Sequence, residues 1–195
     1  TDHDEIKLDL RAHKDYLIRQ VEKHDIRVLL NTEITKENAG EYSPDVIIVA
    51  VGSEPVVPPI PGIDLPHVSH VLDMYPKIDE LGRRIVVIGG GLAGVEPAIE
   101  LAHRGHEVTV LEALKGFARD AHRMNSLALL TESRKLTDLH ALDETTVTQI
   151  TPEAVIARDK DGNELTFPAD HVVYAVGLRA RTGLYMELQD IEEQF

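Results

Sequence analysis

The sequence has no cysteine and no tryptophan, and only 4% of its 195 residues are aromatic. Without cysteine this chain can form no disulfide, no redox-active dithiol and no cysteine-ligated iron–sulfur cluster. With so few aromatic rings the core must be aliphatic, and a hydrophobic share of 43% is enough to build one. No apolar run approaches the ~20 residues that a membrane-spanning helix needs. Basic residues are the minority, 20 against 34 acidic ones, for a formal charge of −14. A surface of that sign repels nucleic acid and anionic lipid, so neither is expected as a partner. The acids are scattered and read as solubilising rather than as an acidic tail. Residues 1–5 are polar and acidic, unlike a signal peptide, which together with the lack of cysteine suggests a cytoplasmic protein.

Along the chain, residues 6–23 read as an amphipathic helix, with Leu10, Leu17, Ile18 and Val21 at near-helical spacing. The aliphatic runs 26–30 and 45–51 read as strands, the second buried on both faces and ended by Gly52. Residues 53–66 carry Pro55, Pro58, Pro59, Pro61 and Pro66. That density excludes a helix interior or a central strand and predicts a stiff, extended crossing between two units. A second organisation follows: a strand over 84–88, a helix over 92–103, a strand over 107–111 and a helix over 121–135. Alternation over 145–167 around Asp161-Gly162 signals a hairpin, and 171–176 is a last buried strand. The order points to a three-layer α/β unit.

The sharpest signal lies within residues 84–112. Gly89, Gly91 and Gly94 fill a G-x-G-x-x-G pattern that leaves a strand, opens a helix and is followed by a second strand ending in Glu112. Each position has a physical task in dinucleotide binding. Gly89 permits the tight turn, Gly91 lets backbone approach a diphosphate, and Gly94 lets the helix pack closely on the sheet. The helix start, through Gly90, Leu92 and Ala93, offers free N–H groups and a partial positive charge. A carboxylate at Glu112 can accept both hydroxyls of the adenosine ribose and would repel a 2′-phosphate, which favours NADH and leaves NADPH as the alternative. Lys115 and Arg119 lie just beyond it. Pro97, inside the same helix, removes a backbone donor and predicts a kink unless compensated.

Other chemistries are weaker. Ten histidines are present, but His103 and His106 are separated by Gly105, and no H-E-x-x-H or paired ligand set follows, so no metal site is expected. Ser53, Ser69, Ser126 and Ser133 lack the setting of a hydrolase nucleophile. Strands at 26–30 and 45–51 without local partners would leave open edges and favour homodimer formation.

The segments GGGLAGVE (89–96), AVGSEPVVPPIPGI (50–63) and YLIRQVEKHDIRVLLNTEIT (16–35) together resemble the carboxy-terminal half of one flavoprotein group. It is the 2,4-dienoyl-CoA reductase, trimethylamine dehydrogenase and NADH:flavin oxidoreductase family, which is pyridine nucleotide-disulfide oxidoreductase-like. The resemblance runs over nearly the whole chain. It implies an α/β fold: a Rossmann-like three-layer dinucleotide-binding domain with a β-hairpin or meander insertion, plus part of a second FAD-type half-domain. By resemblance, residues 1–52 are that partial FAD- or ADP-type half-domain, 53–80 the crossing, 81–178 the NAD(P)H domain and 179–195 a return segment. Gly52, and Val176 with Gly177, mark the paired AVGS and AVGL crossings near the dinucleotide. Glu96 matches an acid that points toward the nicotinamide side, or it merely favours the helix start. The implied function is hydride delivery from NADH to a flavin. The alternative is a non-catalytic module that holds ADP structurally. FAD or FMN would be held only with flavin-binding domains that this chain lacks. The crossing GLRART also lacks the Pro-Asn usual after its arginine, Arg179.

Overall fold

The computed structural model describes residues 8–189. The chain forms two compact units, one from Pro55–Leu178 and one from the residues on either side. In chain order the first elements are α1 (Leu8–Lys23), β1 (Ser53–Pro55), β2 (Val68–His70), α2 (Val71–Met74), β3 (Arg84–Ile88), α3 (Leu92–His103) and β4 (Glu107–Leu111). Then come α4 (Arg123–Ser133), β5 (Leu139–Leu142), β6 (Thr146–Ile150), β7 (Ala154–Arg158), β8 (Glu164–Pro168), β9 (His171–Tyr174), β10 (Leu178–Ala180) and α5 (Gly183–Gln189).

The larger unit is a five-stranded sheet of order β2-β9-β3-β4-β5, parallel throughout. Its central strand β3 carries an unbroken aliphatic run, Ile85 to Ile88, because both faces of the sheet are covered there. Side chains alternate along β3: Ile85 and Val87 point to one layer, Val86 and Ile88 to the other. The first layer is helical, with Val71 and Met74 of α2 and Ala98 and Leu101 of α3 packed on Ile85, Val87, Val108, Val110 and Val173. The second layer is the antiparallel meander β6-β7-β8, whose Val147, Ile150, Val155 and Ala157 meet Val86, Ile88, Leu111 and Val172. This is the three-layer α/β fold with a meander insertion. The meander turns at Gly162, with φ +85°, next to Asp159, whose carboxylate accepts from the N–H groups of Asp161 and Asn163.

The proline-rich segment does more than cross. Ile60, Ile63 and Leu65 pack against the meander core, and the Ile150 N–H donates to Pro61 O at 2.8 Å. Helix α3 runs through Pro97 as one element to His103. The carbonyl that loses its partner belongs to Ala93, which is exposed and can bond water instead, while Val95, Ala98, Ile99 and Leu101 anchor the helix in the core.

Two strand expectations fail. Residues 26–30 and 45–51 form no strand, and Leu30, Val46 and Ile48 are 79%, 76% and 87% exposed. An aliphatic run becomes a buried strand only where neighbours supply the hydrogen-bond ladder and a covering layer. No such neighbour pairs with either run among the described residues. In the smaller unit, Ala39 and Leu188 make a thin core with Ile34, Val49 and Leu184, and the stripe Leu10, Leu17, Ile18 and Val21 of α1 is about half exposed. The first two residues of the helix expected over 6–23 lie outside the described residues.

At the opposite end of the sheet from the glycine loop, Asp170 and Arg84 clamp the starts of β9 and β3: Arg84 N–H donates to the Asp170 carboxylate at 2.8 Å, and Asp170 N–H to Arg84 O at 2.8 Å. Beside it, His171 Nε2 lies 2.9 Å from Ser69 Oγ. Burial, with the nearby His67 and Lys77, pushes the His171 pKa down from 6.5 to about 4. The folded state therefore keeps this ring neutral where the unfolded chain would already bind a proton. Its contribution is fully present above pH 6.5 and is lost as pH falls toward about 4. Because the ring is part-solvated, we expect a loss on the order of 1 kcal/mol across that window. Thermal melts against pH should show it, and His171→Gln should flatten that part of the profile. An unchanged slope in the variant would contradict the assignment.

Candidate functional site

The loop between β3 and α3 is shaped by two contacts that tolerate no side chain. Gly89 sits at φ +107°, and a Cβ there would lie 2.5 Å from Ala175 O. At Gly94 a Cβ would lie 1.9 Å from Gly89 O, so the first turn of α3 rests directly on the turn that leaves the strand. The Gly89 N–H donates to Leu111 O at 2.9 Å, which ties the loop to the end of β4. Above Gly90 stand the Phe117 ring and Glu112 Cβ, at 2.6 and 2.8 Å from where a Cβ would be.

The electrostatics of the site come from helix ends and two carboxylates. Gly91 is the N-cap of α3 and has no side chain to cap it. Asp120, from the segment before α4, supplies the cap: its Oδ1 accepts from the Leu92 N–H at 2.7 Å. The N–H groups of Gly91 and Ala93 make no hydrogen bond among the described residues. Glu112 is held at both oxygens, Oε2 by the Gly90 N–H at 2.6 Å and Oε1 by the Leu114 N–H at 2.7 Å. Each oxygen keeps a further lone pair, so the carboxylate is oriented yet still able to accept. Ala118 locks the covering segment to the loop, donating from N–H to Gly90 O at 2.7 Å. A cleft of about 460 Å³ opens at the carboxyl ends of β3, β4 and β9, lined among others by Gly91, Glu112, Thr145, Val147, Val176 and Gly177. A second hollow of about 330 Å³ continues over Gly90, Glu112 and Arg119. Clefts at this end of an open parallel sheet are where nucleotides bind.

The sequence pattern of the pyridine nucleotide-disulphide oxidoreductases matches residues 5–193. The chain belongs to that family. It is 34% identical over 179 residues to a bilirubin reductase of Mediterraneibacter gnavus, covering 92% of this chain and 27% of that protein. It is 32% identical over 175 residues to an NADH oxidase of Thermoanaerobacter brockii, covering 88% and 27%. Among solved structures, a complex of 2-naphthoyl-CoA reductase with 2-naphthoyl-CoA superposes with a TM-score of 0.77 at 33% identity, covering 89% of this chain and 26% of that one. The chain thus spans about a quarter of the length of these relatives. Its fold is the Rossmann-type, pyridine-nucleotide-binding α/β fold of the flavoprotein reductases, a family that binds FAD and NAD(P)H.

Within this family member, Gly89, Gly91, Ala93, Glu112, Val176 and Gly177 come together around the cleft, with Gly90 in the adjoining hollow. Gly94 lies under the loop and Leu92 presents its N–H to Asp120. Gly52 belongs to the smaller unit, where its carbonyl accepts from the Arg181 N–H at 3.1 Å. Arg179, also in that unit, donates through Nε to Glu54 at 3.0 Å. Glu96 is half-buried on α3 and outside the cleft's lining. His103 faces Glu132 at 3.5 Å, and no group of three or more potential metal ligands assembles among the described residues. Sequence reading missed Asp120, Phe117, Thr145 and Val147. Asp120 reaches Leu92 across 28 positions of sequence, and the other three arrive from the covering segment and the meander, so none carries a local signature.

Proposed function

We propose that this chain is the NADH-binding part of a cytoplasmic flavin-dependent reductase of the 2,4-dienoyl-CoA reductase type. The observation that carries the reading is Glu112, oriented by two backbone N–H groups at the end of β4 and facing the start of α3 across one cleft. The diphosphate would lie over the start of α3, where the Ala93 and Gly91 N–H groups and the helix dipole favour an anion. The remaining lone pairs of Glu112 would accept from the adenosine ribose, and the same charge would repel a 2′-phosphate and so disfavour NADPH. The nicotinamide end would run toward Val176 and Gly177, where Gly177 has nothing within 4 Å of a Cβ position and leaves room for a ring. Residues 81–178 would form this domain. Residues 1–52 and 179–195 would belong to a half-domain completed by flavin-binding sequence outside the 195 residues. The cofactors supply the chemistry, a hydride passing from nicotinamide to flavin, and the chain contributes binding and orientation.

The test uses the full-length protein in anaerobic rapid mixing. NADH should bleach the flavin absorbance, and NADPH should do so far more slowly at equal concentration. A flavin that stays oxidised with NADH, in a protein that binds ADP as tightly as NADH, would overturn this reading and favour a structural nucleotide module.

A further inference from the structure

Asp120 stands where the proposed ligand would place its charge. Its Oδ1 takes the Leu92 N–H at 2.7 Å, the first donor of α3, and its Oδ2 lies 3.2 Å from a Cβ position on Gly91. Both Gly91 and Asp120 face the cleft and the adjoining hollow. The donor groups of a helix start are few, and one N–H does not serve two anions. A carboxylate and a phosphate at van der Waals separation also repel each other. Asp120 is nonetheless free to leave. Its side chain is exposed, and it is followed by α4, none of whose residues is buried, so displacing it breaks no core packing. The backbone behind it stays fixed, because Ala118 is fully buried and bonded to Gly90.

We infer that Asp120 is a displaceable stand-in for the ligand's phosphate, which caps α3 in the free protein, gives up the Leu92 N–H when a diphosphate binds, and thereby sets the affinity of the phosphate subsite. This rests on the nucleotide reading above. It assigns a role to the side-chain cap that Gly91, at the N-cap of α3, cannot itself supply. It also makes Asp120 a residue that weakens binding while preserving the site.

The test compares wild type with Asp120→Asn by calorimetric titration with NADH, ADP and adenosine. Asparagine keeps an oxygen for the Leu92 N–H and removes the charge, so thermal melts of the two should differ by no more than about 4 °C, the charge–dipole contribution at an exposed helix start. NADH and ADP should bind about 3- to 10-fold more tightly to the variant, and the gain should shrink with added salt, as expected of an exposed charge. Adenosine, which has no phosphate, should bind both equally. Asp120→Ala, which loses the cap as well, should also tighten NADH while melting lower. Wild-type affinity for NADH in Asp120→Asn, or weaker binding, would overturn the inference and make Asp120 a fixed cap, leaving the nucleotide reading intact. An equal gain for adenosine would overturn it too. Absence of NADH and ADP binding to wild type would remove the nucleotide reading and this inference together.

Discussion

Gly94→Ala is expected to abolish dinucleotide binding and to lower the melting temperature of the chain by roughly 2–12 °C. The added Cβ would lie 1.9 Å from Gly89 O, a backbone atom that cannot rotate aside. Relief requires α3 to move away from the end of β3, and α3 is anchored by Val95, Ala98 and Leu101 in the core. Overpacking of that kind costs about 1–3 kcal/mol. The functional loss should be larger than the stability loss, because the shift carries the Leu92 and Ala93 N–H groups away from the cleft. NADH affinity should fall by about 100-fold or more, since misplacement by about 1 Å is enough for such losses. Gly183→Ala is the control: it has open space around its Cβ position and should change neither melting nor binding.

Removing the carboxylate of Glu112 should cost about 10- to 100-fold in NADH affinity, the range of a hydrogen bond to a charged group. Two effects combine in Glu112→Ala. The ribose loses its acceptor, and the Gly90 and Leu114 N–H groups lose the oxygens that hold them at 2.6 and 2.7 Å. The comparison with NADPH separates the two. Loosening of the loop would weaken both dinucleotides alike, whereas loss of charge lifts the repulsion of the 2′-phosphate. The ratio of NADPH to NADH dissociation constants should therefore collapse toward unity in the variant, in titrations at fixed salt. A ratio that the substitution leaves unchanged would show that Glu112 only braces the loop.

Much of the candidate site's geometry was legible because its parts are local. Gly89, Gly91 and Gly94 are spaced by the geometry of one strand–turn–helix unit, and Glu112 ends the next strand, so contiguous sequence encodes both. Strand β3 was legible for a related reason: a strand covered on both sides writes itself as an unbroken aliphatic run. The same rule misled at residues 45–51, since such a run specifies burial but not the neighbour that provides it, and Ile48 is exposed. Strand β5 escaped notice because it is four residues long and reads LHAL, neither aliphatic throughout nor alternating. Strand β2 was hidden by its histidine and by the prolines just before it. Asp120 was out of reach for another reason. Its role exists only once the covering segment folds back over the loop, through the Ala118 and Gly90 hydrogen bond and the Phe117 ring. Local pattern placed the donors of the site, whereas the acceptor that occupies one of them is a tertiary fact.

The most direct test of the account is calorimetric titration of this chain with NADH, run beside Glu112→Ala. The account predicts saturable binding at one NADH per chain, tighter than for NADPH and strongly weakened in the variant. Absence of saturable heat from the wild-type protein, or binding that Glu112→Ala leaves unchanged, would contradict it.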